Sequence, residues 1–302
     1  MDDPTDLNEK AFATGWFRGA KIVAEYMHHR YQWINDAINK VETPVRDACI
    51  KGLWMRAYAW MQTLARLNDP LDFQAITIGN RALLELAVDL VLLYNDKTNE
   101  SGWRMHWWGL SEKLKASEQI LSYYRDKNLP LPDQYEAQKQ FYDNECTTIL
   151  GMRATLWPNR KNPDQHPGRW TINGNLFDDI LRADRLSGAI IEQEIGSSFE
   201  EYYRTEYRKI NWHIHSGTNG FWNLPAEAYY LSYGFGLKSS ADLCMLSTKL
   251  VLTDFQYLTA FEGLQQEWED IGYQRNLIYV EAMQEDSSES SDEDSGTKDQ
   301  NE

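Results

Sequence analysis

Ser198 to Asn223 reads SFEEYYRTEYRKINWHIHSGTNGFWN, a stretch that is neither wholly apolar nor wholly polar. Ser197 stands three residues before Glu200, the spacing of a capping box, and Gly217 falls where a helix gives way to a left-handed residue. The stretch is therefore predicted as one helix of about five turns. Arg208 and His215 lie seven residues apart, about 20° short of two full turns, so both project from one face. Arg204 and Asn211 fall on the same strip. His213 is the poorer partner for Arg208, because five residues place it about 140° round the helix.

An arginine followed four to six residues later by a histidine resembles the signature of the HEPN helical superfamily. Arg208 with His213 satisfies the short spacing and Arg208 with His215 the long one. Tyr207, Asn211 and His215 at four-residue intervals come after a tryptophan-bearing loop (Trp170) and an Arg-x-x-x-Glu helix (Arg81, Glu85). Together these resemble a bacterial all-helical domain-of-unknown-function family in the HEPN neighbourhood, over roughly residues 50 to 260. The position after the motif arginine, often Asn, Asp or His in HEPN nucleases, is Lys209 here.

The resemblance implies a metal-independent ribonuclease, in the setting of a toxin or defence effector, that pairs motif helices in a homodimer. It gives Arg208 and His215 the catalytic roles, with Tyr207, Asn211 and His213 beside them. Arg81, Glu85 and Arg204 are supporting candidates, and RNA or a nucleotide is the implied partner. No metal and no cofactor are expected: His213 and His215 on one helix diverge by about 200°. The competing reading is a helical module that binds a nucleotide or protein without catalysis, with Arg208 and His215 satisfying buried carboxylates.

The chain of 302 residues, 42% hydrophobic and 13% aromatic, has ample material for a core. Its net charge of -16 argues against wrapping nucleic acid along the whole surface. From Glu285 the tail EDSSESSDEDSGTKDQNE carries eight acidic residues and one lysine, leaving the remainder nearer -9. The tail lacks the apolar residues needed to offset ordering entropy and is expected to be disordered. No apolar run reaches about eighteen residues, and the acidic start MDDPTDLNEK is unlike a signal peptide, so a cytoplasmic chain with no membrane partner is expected. Cys49, Cys146 and Cys244 show no disulfide or zinc spacing and are expected as buried small hydrophobes.

Helical periodicity marks residues 8 to 43, 44 to 67, 70 to 95, 102 to 127 and 133 to 156, the third being the most apolar and so the core. Asp69 is expected to cap the third helix and Pro70 to open it. Arg81, Glu85 and Asp89 make one polar stripe on that apolar cylinder, expected to face the motif helix or to pair internally. His28 and His29 point about 100° apart and read as surface. Trp103, Trp107 and Trp108 read as core or interface.

The loop from Trp157 to Asn175 is locally basic, and Arg160, Lys161 and Arg169 are its candidate phosphate contacts, with Trp157 and Trp170 as stacking surfaces. A solvated loop anchored by the two tryptophans is the competing account. Short helical pieces follow from 176 and 188. The stretch EAYYLSYGFG is expected to be irregular near Gly234 and Gly236, and a last long helix to run from about 237 to 283. The whole is predicted as an all-α, multi-helix bundle: an N-terminal helical extension (1–50), a HEPN-like core (51–284) and a disordered acidic tail (285–302).

Overall fold

The computed structural model describes residues 4–39, 45–96, 98–157, 167–172, 174–207 and 226–256, with short pieces between 266 and 284. The acidic tail lies outside them. The described residues are all-α, without a strand. In chain order the helices are α1 (Pro4–Asn39), α2 (Val45–Leu64), α3 (Phe73–Asn95), α4 (Asn99–Asp126), α5 (Glu136–Leu156), α6 (Leu176–Ile195), α7 (Phe199–Tyr202) and α8 (Ala226–Asp254). Short 3₁₀ turns precede α3 and α5, and a π-helical turn, Tyr203–Tyr207, continues α7.

The chain forms two compact units. One comprises residues 1–41, 50–95 and 180–302; the other comprises 42–49 and 96–179. α1 packs along α8 inside the first unit. Its buried positions Phe12, Trp16, Ala20, Val23 and Met27 recur every three or four residues, the interval that keeps a helix face turned one way.

α8 packs on α1 and also on α3. Two glycines permit both approaches: a Cβ on Gly234 would lie 2.7 Å from the Phe12 ring, and one on Gly236 would lie 2.7 Å from Ile76 Cγ2. The glycines that read locally as breakers thus sit inside a regular helix. α8 starts well before residue 237 and ends in a turn at Phe255 and Gln256, the latter with φ 59°. Its stretch from Ala241 to Leu252 is buried almost all round, so it shares the centre with α3. Trp54 Nε1 donates to Thr248 Oγ1 at 3.1 Å, and Gln62 Nε2 to the Ala24 carbonyl at 2.6 Å, tying α2 to α8 and α1.

Asp69 caps the turn before α3 as expected: its Oδ1 accepts from Leu71 N at 2.9 Å, with Pro70 at the first helical position. The two pieces expected from 176 and 188 are present as the two arms of α6, which are separated at Ser187, whose φ of -143° and ψ of 24° are not helical. Asn95 Nδ2 donates to Ser187 Oγ at 2.8 Å and holds the kink against the end of α3.

In the second unit α4 and α5 form a hairpin. Lys113 Nζ lies 4.0 Å above the Phe141 ring, and Trp108 Nε1 donates to the Pro167 carbonyl at 3.0 Å. Trp103 is exposed, whereas Trp107 and Trp108 are half-buried. Cys244 is buried as expected, but Cys49 and Cys146 are only half-buried, and all three are free thiols. Among the described residues, no helix is long and apolar enough to cross a membrane.

Candidate functional site

The polar stripe of α3 gathers part of the predicted site. Arg81 Nε lies 3.3 Å from Glu85 Oε1, and the Tyr207 hydroxyl donates to that same oxygen at 2.9 Å. The Arg81 guanidinium carbon stands 5.4 Å from the centre of the Tyr207 ring, within cation–π range. Tyr203 stacks on Tyr207 from one turn back, with ring centres 4.8 Å apart. Burial first, then the Glu85 charge and its hydrogen bond, push the Tyr207 phenol far above its ordinary value.

The Arg81 and Glu85 side chains are 35% and 36% exposed, so the pair sits at the edge of the bundle and not inside it. An ion pair so placed contributes about 0–1 kcal/mol. Asp89, one turn further along α3, is half-buried.

Tyr207 reaches this stripe because of how its helix begins. The side chain of Ser198, not Ser197, is the cap, accepting from Glu201 N at 3.0 Å. The shift by one residue follows from Asp184, whose two oxygens accept from Phe199 N and Glu200 N, each at 2.8 Å. Together these satisfy three amides of the first turn, which would otherwise lack partners.

The π-turn then spreads the helix. On an α-helix, residues five apart diverge by about 140°, but i→i+5 bonding brings such positions towards one face. Tyr202 donates to Asn80 Oδ1 and Tyr207 to Glu85 Oε1, so a five-residue step on one segment matches a five-residue step on α3. Asn80 and Tyr202 did not emerge from the sequence; a tyrosine pair five apart carries no helical signal unless the π-turn is known.

Arg204 is not part of this cluster. It is exposed at the surface, where its Nε pairs with Glu200 Oε1 at 2.8 Å, one turn back. Arg204 itself lies in the π-turn. Arg208, Asn211, His213 and His215 lie outside the described residues.

The basic loop of the second unit turns inward where it is described. Arg169 Nε donates to Asp179 Oδ2 at 2.7 Å, Thr171 Oγ1 to the same oxygen at 2.9 Å, and Asp179 is fully buried. A buried carboxylate requires a counter-charge, and Arg169 supplies it. Trp157 and Trp170 are buried too, Trp157 Nε1 donating to the Thr171 carbonyl at 3.3 Å. They anchor the loop and offer no stacking surface. Arg160 and Lys161 lie outside the described residues.

His28 and His29 are exposed, as read, and His28 Nδ1 lies 2.8 Å from the Tyr58 hydroxyl. Among the described residues no group of three or more His, Cys, Asp or Glu side chains is placed to hold a metal ion. No protein-family model matches the chain, and comparisons with curated proteins and with solved structures return no match.

Proposed function

We propose that the chain is a metal-independent endoribonuclease of HEPN type, acting in the cytoplasm as a homodimer. One observation supports this reading. Tyr207, the residue immediately before Arg208, is hydrogen-bonded to Glu85 and lies against Arg81. Two parts of the motif pattern that lie 122 residues apart in sequence therefore meet at one place.

In this reading His215 moves the proton of an RNA 2′-hydroxyl as that oxygen attacks phosphorus. The 5′-oxygen leaves, takes up a proton, and a 2′,3′-cyclic phosphate remains. Arg208 stabilises the charge that develops on the phosphoryl oxygens. Glu85 and Tyr207 position the start of the motif segment, and Arg81 adds positive charge beside it.

The test is cleavage of a structured RNA in EDTA. Wild-type protein is expected to cut it, and His215→Ala to lower the rate by about 10²–10⁴ with the helical spectrum and melting temperature retained. Arg208→Lys is expected not to restore full rate, because a point charge lacks the planar guanidinium fork. Intact RNA with wild-type protein, or full activity of His215→Ala, overturns the proposal. Saturable RNA binding without cleavage would favour the non-catalytic module.

A further inference from the structure

A ladder of aromatic rings climbs from the core of the first unit to its surface between α1 and α2. Trp54, on α2, is fully buried. Tyr58 follows one turn later, its ring centre 5.9 Å from that of Trp54 and the two planes only 14° apart. From α1, Tyr31 stacks on Tyr58 at 4.9 Å and His28 at 6.4 Å. Every step lies within the span of about 4.5–7 Å at which aromatic rings are in contact. An electron therefore tunnels from one ring to the next over contact distance.

The two ends of the ladder treat a proton differently. Trp54 Nε1 donates to Thr248 Oγ1 at 3.1 Å, and that hydroxyl donates in turn to the Cys244 carbonyl at 2.8 Å. Trp54 and Thr248 are both shielded from water. A hydroxyl already engaged as a donor is no base, so an indole that loses an electron here keeps its proton and stays a strong oxidant.

The Tyr58 hydroxyl, by contrast, meets a base: His28 Nδ1 lies 2.8 Å away. With its proton on Nε2, neutral His28 accepts through Nδ1. Burial first, then Tyr31, hold the Tyr58 phenol above its ordinary value, so at neutral pH it carries a proton to give. Among the described tyrosines Tyr58 alone has an imidazole as hydrogen-bond partner. Tyr207 is bonded to a carboxylate but lies against Arg81, whose positive charge opposes loss of an electron.

From this geometry we infer that Tyr58 is a proton-coupled electron donor that discharges oxidised Trp54, with His28 as the acceptor of its proton. A one-electron oxidant, such as a peroxide-derived radical, takes an electron from the Trp54 indole. Tyr58 returns an electron to the indole radical cation as its O–H bond breaks and the proton forms an N–H bond at His28 Nδ1. A neutral tyrosyl radical and an imidazolium result. The exposed imidazolium gives its extra proton to water, and a thiol supplies the hydrogen atom that restores the phenol. The co-substrates are thus a radical oxidant and a thiol, and the oxidisable core side chains Cys244 and Met61 are spared. The inference uses none of the motif residues and stands apart from the cleavage reading.

The test exposes the full chain to a photogenerated ruthenium(III) polypyridyl oxidant with a nitroso spin trap present, and maps the adducts by peptide mass spectrometry. Tyr123, 55% exposed and in the other unit, is the internal reference. Exposure alone favours Tyr123; the inference expects more adduct at Tyr58, although Tyr58 is half-buried. Tyr58→Phe is expected to lose that adduct and to accumulate oxidised indole at Trp54 instead. His28→Ala is expected to lower the Tyr58 adduct by about ten-fold or more, and added imidazole to restore it, which a merely structural role would not allow. Four results each overturn the inference: more adduct at Tyr123 than at Tyr58, equal Trp54 oxidation in wild type and Tyr58→Phe, an unchanged yield in His28→Ala, or no rescue by imidazole. The first needs no variant and decides the matter even where a substitution disturbs folding.

Discussion

Arg169 holds the carboxylate of Asp179 at 2.7 Å from only ten residues away, and the oxygen it holds is fully shielded from water. Thr171 donates to that oxygen as well. Truncation of the carboxylate leaves a guanidinium in a place without its counter-charge, a situation that typically costs about 3–5 kcal/mol. Asp179→Ala is therefore expected to lower the urea midpoint substantially. Arg204→Ala, at an exposed i,i+4 pair, is expected to change it by no more than about 0.5 kcal/mol.

Tyr202, Tyr207 and Tyr233 set an alkaline limit. Burial raises the phenol of each above its ordinary value, so the folded state keeps protons that the unfolded chain releases near pH 10. Their contribution is fully present below about pH 10 and is lost as pH rises towards the folded values. Thermal melts between pH 8 and 11 are expected to fall steeply above 10. Tyr207→Phe loses its bond to Glu85, which costs about 1 kcal/mol at pH 8. Above pH 10 the gap to wild type is expected to close, since the variant has one fewer phenol to ionise. A gap that widens with pH would contradict this.

Gly102 and Gly109 stand two turns apart on α4 and respond oppositely to a methyl group. A Cβ on Gly102 would lie 2.4 Å from the Arg46 backbone nitrogen, which cannot move aside as a side-chain tip can. On Gly109 it would meet nothing within 4 Å. Gly102→Ala is expected to destabilise by about 1–3 kcal/mol or more, and Gly109→Ala to stabilise by roughly 0.5–1 kcal/mol. Paired denaturant titrations check the sign of each.

Local chemistry was legible where a few adjacent residues decide the outcome. The Asp69-Pro70 start of α3 and its apolar girth are written in consecutive positions. The cap of α7 was misplaced by one residue because the deciding group, Asp184, lies outside the local window. Gly234 and Gly236 looked like interruptions because their purpose, the close approach of Phe12 and Ile76, lies more than 150 residues away in the chain.

The candidate site was legible in the same uneven way. Arg81 and Glu85 declared themselves as charges on an apolar helix, and Tyr207 through its spacing. Tyr202 and Asn80 were hidden, since a π-turn has no periodic signature and their bond joins residues 122 apart. Arg169 and the two tryptophans were ambiguous from composition, because a loop that anchors itself uses the residue types that would grip a phosphate.

The division of the first unit around residues 96–179 bears on how the protein is made. α8 covers Ile76 and receives the bond from Trp54, yet it starts about 130 residues after α3 ends. At a ribosomal rate of about 5–20 residues per second, that interval lasts on the order of ten seconds. The α4–α5 hairpin of the second unit is synthesised during it. The apolar faces of α2 and α3 wait longer, so the nascent chain offers a holding chaperone its main target before the C-terminal third has left the ribosome.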